Sequence, residues 1–490
     1  MNFKKIFNKN FRLILLLIIL AESLSYAGFW WPVVNSIGFL VVCLGALALS
    51  LKNIKYGLLL VFAELFIGSM GRLFFLDLGG LNISIRMALW LIIMSVWLTK
   101  ILIATFKKET TLASYFKLPY GKYFYTLGAF IILGLLIGYL NHNQINNIFF
   151  DFNNWLYLIL LFPLSNSFKT KDDWQDLFQV FSLATFWLCT KTLILLYTFS
   201  HNLFWANLEI YRWLRISGVA EITEMQSGFY RLFFQSHIFV LLAFCLLLPI
   251  IAKAINNKAK TFWVDFVQIS VALAVLIIGM SRSFWVGLAV GGLFFIVYLL
   301  KQKFSPQFYL KFLSWSFLSL LAGVIIITIL VKFPYPTPGR TLWAWDILNE
   351  RSQLDESAVS SRWNLLPKLW QEISQAPILG KGFGTTVVYQ SSDPRFLEQS
   401  ADGLYETYAF EWAWLDLWLK LGILGVLIYL WFLIKLIRDA LSLKQIGVVL
   451  CLVALAMVNV FTPYLNHPLG LGALMLIATW LSGQKQIHKA

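Results

Sequence analysis

Long apolar runs, broken by short polar connections, organise this chain from end to end. Runs of roughly 17–25 apolar residues suffice to cross a bilayer as helices. About fourteen occur, near 12–28, 31–51, 56–75, 83–106, 123–140, 148–166, 174–199, 230–252, 262–281, 283–300, 309–332, 411–434, 445–463 and 467–482. Two polar stretches stand apart by length, 200–229 and 333–406. In the second, Pro336, Pro338 and Gly339 break the chain before Arg340-Thr341-Leu342-Trp343. Residues 362–373 then place Trp363, Leu366, Leu369, Trp370 and Ile373 on one helical face. Such a helix lies along the membrane surface or packs on the outer ends of the spans. The pattern predicts an all-α, polytopic integral membrane protein in three blocks: transmembrane helices over 1–332, one large outer loop over 333–406, and further transmembrane helices over 407–490.

Composition agrees. Of 490 residues, 59% are hydrophobic and only 13% charged, far from the globular norm of roughly 45–50% and about 25%. Mean hydropathy is +0.73. In a soluble protein a net charge of +15 would point to nucleic acid, but lysine placement accounts for most of it here. With a cytoplasmic N-terminus, every second connection carries lysines: Lys4/Lys5/Lys9, Lys52/Lys55, Lys107/Lys108/Lys117/Lys122, Lys169/Lys171, Lys253/Lys258/Lys260, Lys301/Lys303/Lys311, Lys435/Lys444 (with Arg438) and Lys485/Lys489. That is the bias that orients membrane proteins. It makes both termini cytoplasmic, the 333–406 loop periplasmic, and a nucleic-acid partner unexpected. Ser25-Tyr26-Ala27 before Gly28 also fits a signal-peptidase site; we read the first run as a retained span. The four cysteines, Cys43, Cys189, Cys245 and Cys451, all fall in apolar runs and read as small buried hydrophobes.

On the opposite face the basic residues are mostly arginine: Arg72, Arg86, Arg212, Arg215, Arg231, Arg282, Arg340, Arg351, Arg362 and Arg395. Arginine there does nothing for insertion, whereas its planar fork grips phosphate or carboxylate through two hydrogen bonds. A single arginine at a span end is explained by interfacial anchoring; several on one face, against lysine on the other, point to an anionic ligand. Ser281-Arg282-Ser283 sits where one span ends and the next begins inward, so free N–H groups and the positive end of a helix dipole accompany Arg282. Arg231 opens a span in the same way, and Arg86 lies in the first turn of another after Asn82 and Ser84.

Ionisable groups inside spans are costly and are usually paired or functional. Glu64 and Lys191 lie near mid-span and are candidates for mutual partners, with Asp151 another such group. No phosphate-binding Gly-x-x-x-x-Gly-Lys-Ser/Thr loop, His-Glu-x-x-His or Asp-x-Asp occurs, and Gly380-Lys381-Gly382-Phe383-Gly384 lacks the nucleotide-loop spacing. No metal and no cofactor is therefore expected. Glu406, Glu411 and Asp416 are spaced by five, so a regular helix cannot aim all three into one pocket. Glu411, flanked by Phe410, Trp412 and Trp414, has the most apolar setting; there its pKa would rise towards proton transfer near neutrality, unless it pairs with an outer arginine. His467, between the last two spans, is the alternative base.

From about residue 210 to 470 the chain resembles the O-antigen ligase/polymerase superfamily of bacterial envelope glycosyltransferases. The resemblance rests on Arg215-Ile216-Ser217-Gly218, Ser281-Arg282-Ser283-Phe284-Trp285, Arg362-Trp363, Ala376-Pro377-Ile378-Leu379-Gly380-Lys381-Gly382-Phe383-Gly384, and Leu417 to Gly425. Each is weak alone; their order around one large outer loop is fairly specific. Members carry a histidine about eleven residues before the glycine that opens the following span, and here Glu411 stands in its place.

The resemblance implies a multi-pass enzyme of the bacterial inner membrane. Its donor would be a polyprenyl-diphosphate-linked glycan and its acceptor a hydroxyl on a glycan, lipid or protein. Arg215, Arg231, Arg282 and Arg362 would hold the diphosphate, with Arg215 and Arg282 also stabilising its departure, and Glu411 would take the acceptor's proton. A flippase for lipid-linked oligosaccharides is the rival reading, though such transporters show repeat symmetry and short loops. A scaffold of an envelope assembly would not need the arginine asymmetry.

Overall fold

The computed structural model describes residues 9–79, 81–203, 206–225, 228–257, 262–337, 339, 357–391 and 403–489. The expectations on Lys4, Lys5, Lys258, Lys260, Pro338, Arg340, Trp343, Arg351 and Arg395 lie outside the described residues. The protein is an all-α polytopic membrane protein. Among the described residues ten helices are long and apolar enough to cross a membrane: Phe11–Trp30, Pro32–Lys52, Ile85–Phe106, Gly121–Leu140, Ile145–Ser167, Lys171–Ser200, His237–Asn256, Arg282–Lys301, Pro306–Lys332 and Ala413–Ser442. The other four apolar runs also form helices, but shorter or more polar ones: Ile54–Ile67, Phe262–Gly279, Ile446–Val458 and Pro468–Lys489. The run at 56–75 shows why length of sequence overstated length of helix. Its helix stops at Ile67, and Phe75–Leu78 (β1) pairs antiparallel with Leu81–Ser84 (β2) instead.

Two more hairpins were not foreseen from the hydrophobic pattern. Glu221–Glu224 (β3) pairs with Tyr230–Phe233 (β4), in a register that sets Thr223 opposite Arg231. Val387–Gln390 (β5) pairs with Leu404–Thr407 (β6). The β3–β4 hairpin corrects one expectation: Arg231 lies on a strand, and the helix that it was to open begins at His237.

The chain forms two compact units, Met1–Phe116 with Phe162–Ile347, and Lys117–Leu161 with Leu348–Ala490. In the first, two buried ion pairs join helices. Arg86 grips Glu64 with both arms of its fork, Nε to Oε2 at 2.9 Å and Nη2 to Oε1 at 3.0 Å, while Nη1 donates to the Ser69 carbonyl. Lys191 instead meets Glu22 at 2.6 Å, and the Trp187 indole N–H donates to the same carboxylate. Glu64 and Lys191 are thus not mutual partners. Sequence spacing could not reveal this, because each partner comes from another helix.

In the second unit the Gly121–Leu140 helix packs on the Ala413–Ser442 helix, whose backbone breaks at Gly422 (φ 69°, ψ 173°). A Cβ at Gly422 would collide with the Ile378 carbonyl. The segment 376–385 docks into that break: Lys381 N donates to Leu419 O, Ile423 N to Pro377 O and Phe383 N to Gly134 O. Gly382 (φ 83°) lies so close to the Gly138 backbone that a side chain there would overlap it. The glycine-rich segment is therefore a docking loop between two helices. The Ser357–Gln375 helix turns Leu365, Leu369 and Ile373 into a core shared with Val387, Tyr389, Phe410 and Leu419. It is amphipathic as expected, but Leu365 takes the inner face while Trp363 and Trp370 are exposed.

Candidate functional site

The residues that the sequence marks for chemistry fall into two clusters, one in each unit. In the first unit the β3–β4 hairpin links two arginines and reaches the turn that leads to a third, Arg282. Arg215, on the Tyr211–Ile216 helix, reaches the Ile222 carbonyl of β3 at 3.4 Å. Ile222 pairs with Leu232, the neighbour of Arg231 on β4. Arg231 donates from Nε to the Gly279 carbonyl at 3.2 Å, meets Glu221 at 3.3 Å, and lies over the Phe233 ring. Gly279 ends one helix and Arg282 begins the next, so the hairpin connects Arg215 to Arg231 and Arg231 to the 279–282 turn.

At that turn Ser281 is the N-cap in extended geometry, and its hydroxyl shares a 3.0 Å hydrogen bond with Ser283. The opening N–H groups of this helix lack intrahelical acceptors, as at every helix start. Arg215 is exposed and Arg231 and Arg282 are half-buried, within reach of solvent and of a ligand. Arg86 is the contrast: it is 7% exposed, its fork is filled by Glu64, and it is not an anion site. The expectation for Arg86 as a site like Arg282 is corrected on that ground.

In the second unit Arg362 and Glu411 form an ion pair with side chains 37% and 50% exposed. Glu411 therefore does not occupy the apolar setting that its neighbours implied. Phe410 turns into the core, Trp412 donates its indole N–H to the Arg362 carbonyl at 3.0 Å, and Trp414 donates to Ala456. Glu406 is on β6, Glu411 in the following turn and Asp416 in the helix, so the three carboxylates belong to three local structures.

The buried carboxylate is Asp416, and sequence reasoning missed its partners. Lys420, only 2% exposed, lies 2.5 Å from Asp416 and 2.6 Å from Asp151. Asn466 donates to the other oxygen of Asp416 at 2.7 Å, and Gly384 N donates to the other oxygen of Asp151 at 3.0 Å. One lysine thereby ties together the Ile145–Phe152 helix, the docking loop, the Ala413–Ser442 helix and the turn that carries His467. His467 follows Asn466 directly and is half-buried. Tyr408 is pushed above the usual tyrosine range by burial and by the negative charge of Asp151. The signal available in the sequence was Lys420 itself, a lone lysine in an apolar run on the arginine face.

Together these features define a polytopic helical membrane protein that concentrates arginine at helix and strand ends and ties its connecting loops down through buried charge. Residues 269–430 match the model of the O-antigen ligase family, which confirms the resemblance read from the sequence. The matched stretch includes Arg282, Arg362, the docking loop, Glu411 and the Asp416–Lys420 pair; Arg215 and Arg231 precede it. No curated protein and no solved structure matches the chain significantly.

Proposed function

We propose that the protein is a glycosyltransferase of O-antigen ligase or polymerase type, acting at the outer face of a bacterial inner membrane. Its donor is a glycan on a polyprenyl diphosphate, and its acceptor is a hydroxyl on a glycan, lipid or protein. Outside the cytoplasm nucleotide sugars are not at hand, so the donor must arrive already activated, and a membrane-anchored diphosphate brings its own leaving group. The observation that carries this reading is the connected set Arg215, Arg231 and Arg282 at the start of the Arg282–Lys301 helix, within a chain whose 269–430 segment is O-antigen ligase-like. Guanidinium groups and helix N–H groups aimed at one phosphate cluster favour the departing diphosphate over the intact donor, which is how such donors lower a barrier.

In the reaction the acceptor oxygen attacks the anomeric carbon, the bond from that carbon to the diphosphate oxygen breaks, and the diphosphate leaves with both bonding electrons. The acceptor's proton passes to a base. Glu411 fills that role, oriented by Arg362; His467 is the alternative. Arginine supplies the positive charge that the leaving group requires, so the proposed chemistry uses no metal.

The test is incubation of the purified protein with polyprenyl-diphosphate-linked glycan and candidate acceptors, following free polyprenyl diphosphate and product length. Release of the lipid diphosphate together with acceptor elongation is the expected result; donor unchanged under all acceptors refutes the reading. Orientation is checked in spheroplasts. Single cysteines at 212 and at 253 should label from the outside and from the inside, respectively, with an impermeant reagent.

A further inference from the structure

Four tryptophans of the second unit make two edge-to-face pairs: Trp363 with Trp412, and Trp370 with Trp418, both at 5.4 Å between ring centroids. Trp412 is pinned by its N–H bond to the Arg362 carbonyl, and Trp418 by a 2.8 Å bond to the Pro377 carbonyl. Trp363 and Trp370 lie seven residues apart on the Ser357–Gln375 helix, two turns or about 10 Å along its axis. They are 54% and 51% exposed. The helix does not need them for its own packing, which Leu365, Leu369 and Ile373 supply. Two large, rigid, amphipathic rings are thus held at the surface at a fixed spacing, at little further cost in side-chain entropy on binding.

We infer that Trp363 and Trp370, braced by Trp412 and Trp418, are a platform on which sugar rings of the glycan substrate stack. This deepens the glycosyltransferase reading and rests on it. The face of an aromatic ring is electron-rich, and the C–H groups on one face of a pyranose are weakly positive, so the two surfaces match. The rim of the same sugar carries hydroxyls, and the platform is edged by groups to bind them: the Arg362–Glu411 pair at one end, and exposed Asn364, Lys368 and Gln371 along the helix. A surface meant only to sink into the bilayer would not interleave these charges with its rings.

The experiment uses the full chain in nanodiscs and two probes. The first is the set of oligosaccharides released by mild acid from the surface polysaccharide of the cells that make the protein, with binding followed by calorimetry and tryptophan emission. Wild type should bind; Trp363→Ala and Trp370→Ala should each weaken binding roughly two- to tenfold, the worth of one aromatic contact. Trp363→Tyr, which keeps a stacking face, should recover most of it. The second probe is brominated phospholipid, which should quench wild type no more than the Trp363→Phe/Trp370→Phe double variant. No binding by wild type, equal binding by the alanine variants, or bromolipid quenching that disappears in the double variant would each overturn the platform. Binding is read without turnover. A chain that binds these sugars yet transfers nothing refutes the transferase reading alone, and one that transfers while its alanine variants bind as wild type refutes the platform alone.

Discussion

In the first unit Glu64 meets Arg86 and Glu22 meets Lys191, one acid to one base, each pair closing the gap between two helices. In the second unit Lys420 stands between two carboxylates, and the charge left over is held by the Asn466 amide and the Gly384 N–H. Each pair is balanced in charge, with a further hydrogen bond from Arg86 to the Ser69 carbonyl or from Trp187 to Glu22, whereas the triad reaches outward into the docking loop and the turn before His467. The difference separates two uses of buried charge. A one-to-one pair fastens helices and could be replaced by apolar contact with little loss. An unbalanced cluster cannot be so replaced, because removing its single base leaves two desolvated acids facing one another.

The largest effect is therefore expected at Lys420. Breaking an ordinary buried pair costs about 3–5 kcal/mol, and Lys420→Met orphans two acids where Arg86→Met orphans one. Lys420→Met should lose folded protein, read as monodisperse yield and thermal unfolding in detergent. Adding Asp416→Asn should restore part of it. If Lys420→Met melts as wild type, the triad is not the anchor that its contacts describe.

Next comes Arg86→Met, which leaves Glu64 unpaired and should destabilise by about 3–5 kcal/mol. Here the partner change should recover nearly everything: Arg86→Met with Glu64→Leu should melt close to wild type. A double variant as unstable as the single one would mean that the pair holds more than the helices, and would erase the contrast with the triad.

That contrast also marks how far the sequence could be read. Each of the fourteen apolar runs contains a helix among the described residues, because a membrane helix needs little beyond its own composition to be recognised; short helices such as Tyr211–Ile216 lie outside those runs. The three hairpins were invisible, since short strands between spans carry no periodic signal. Arg231 reads as a helix opener for that reason, although it lies on β4. Of the candidate site, Arg215, Arg231 and Arg282 were found by residue type on one face, but their connection through β3–β4 was not, because it depends on strand register. Lys420 lies in plain view inside a motif, four residues after Asp416, but its second partner Asp151, and Asn466 that completes Asp416, are remote in sequence. The aromatic neighbours of Glu411 suggest a buried setting, yet Phe410 is buried and Trp412 packs against the same core while Glu411 between them is half-exposed and paired with Arg362.

Glu411 bears on the comparison from the other side, as a charge that is half-exposed and paired. Such an ion pair contributes about 0–1 kcal/mol to stability, so Glu411→Gln should leave melting unchanged. As the proposed base it should nonetheless lose transfer by roughly 10²–10⁴-fold, with donor binding intact. A fully active Glu411→Gln protein would reduce the residue to a partner of Arg362 and pass the role to His467.

The smallest effect, and the finest discrimination, is expected at Arg282. The Arg86 fork is filled by a protein carboxylate, whereas Arg282 is half-buried at the start of a helix whose first N–H groups lack intrahelical acceptors, and it is proposed to serve the donor diphosphate. Lysine keeps the charge but not the paired donors. Arg282→Lys should therefore raise the KM for the lipid-linked donor by about tenfold, the equivalent of one charge-assisted hydrogen bond. Turnover at saturating donor should fall as well, because the fork is proposed to favour the departing diphosphate over the intact donor, and stability should not change. Arg282→Ala should go further in the same direction. If both substitutions leave the donor KM untouched, Arg282 anchors its helix at the membrane surface as a single arginine ordinarily does, and the diphosphate site must be sought around Arg215 and Arg231.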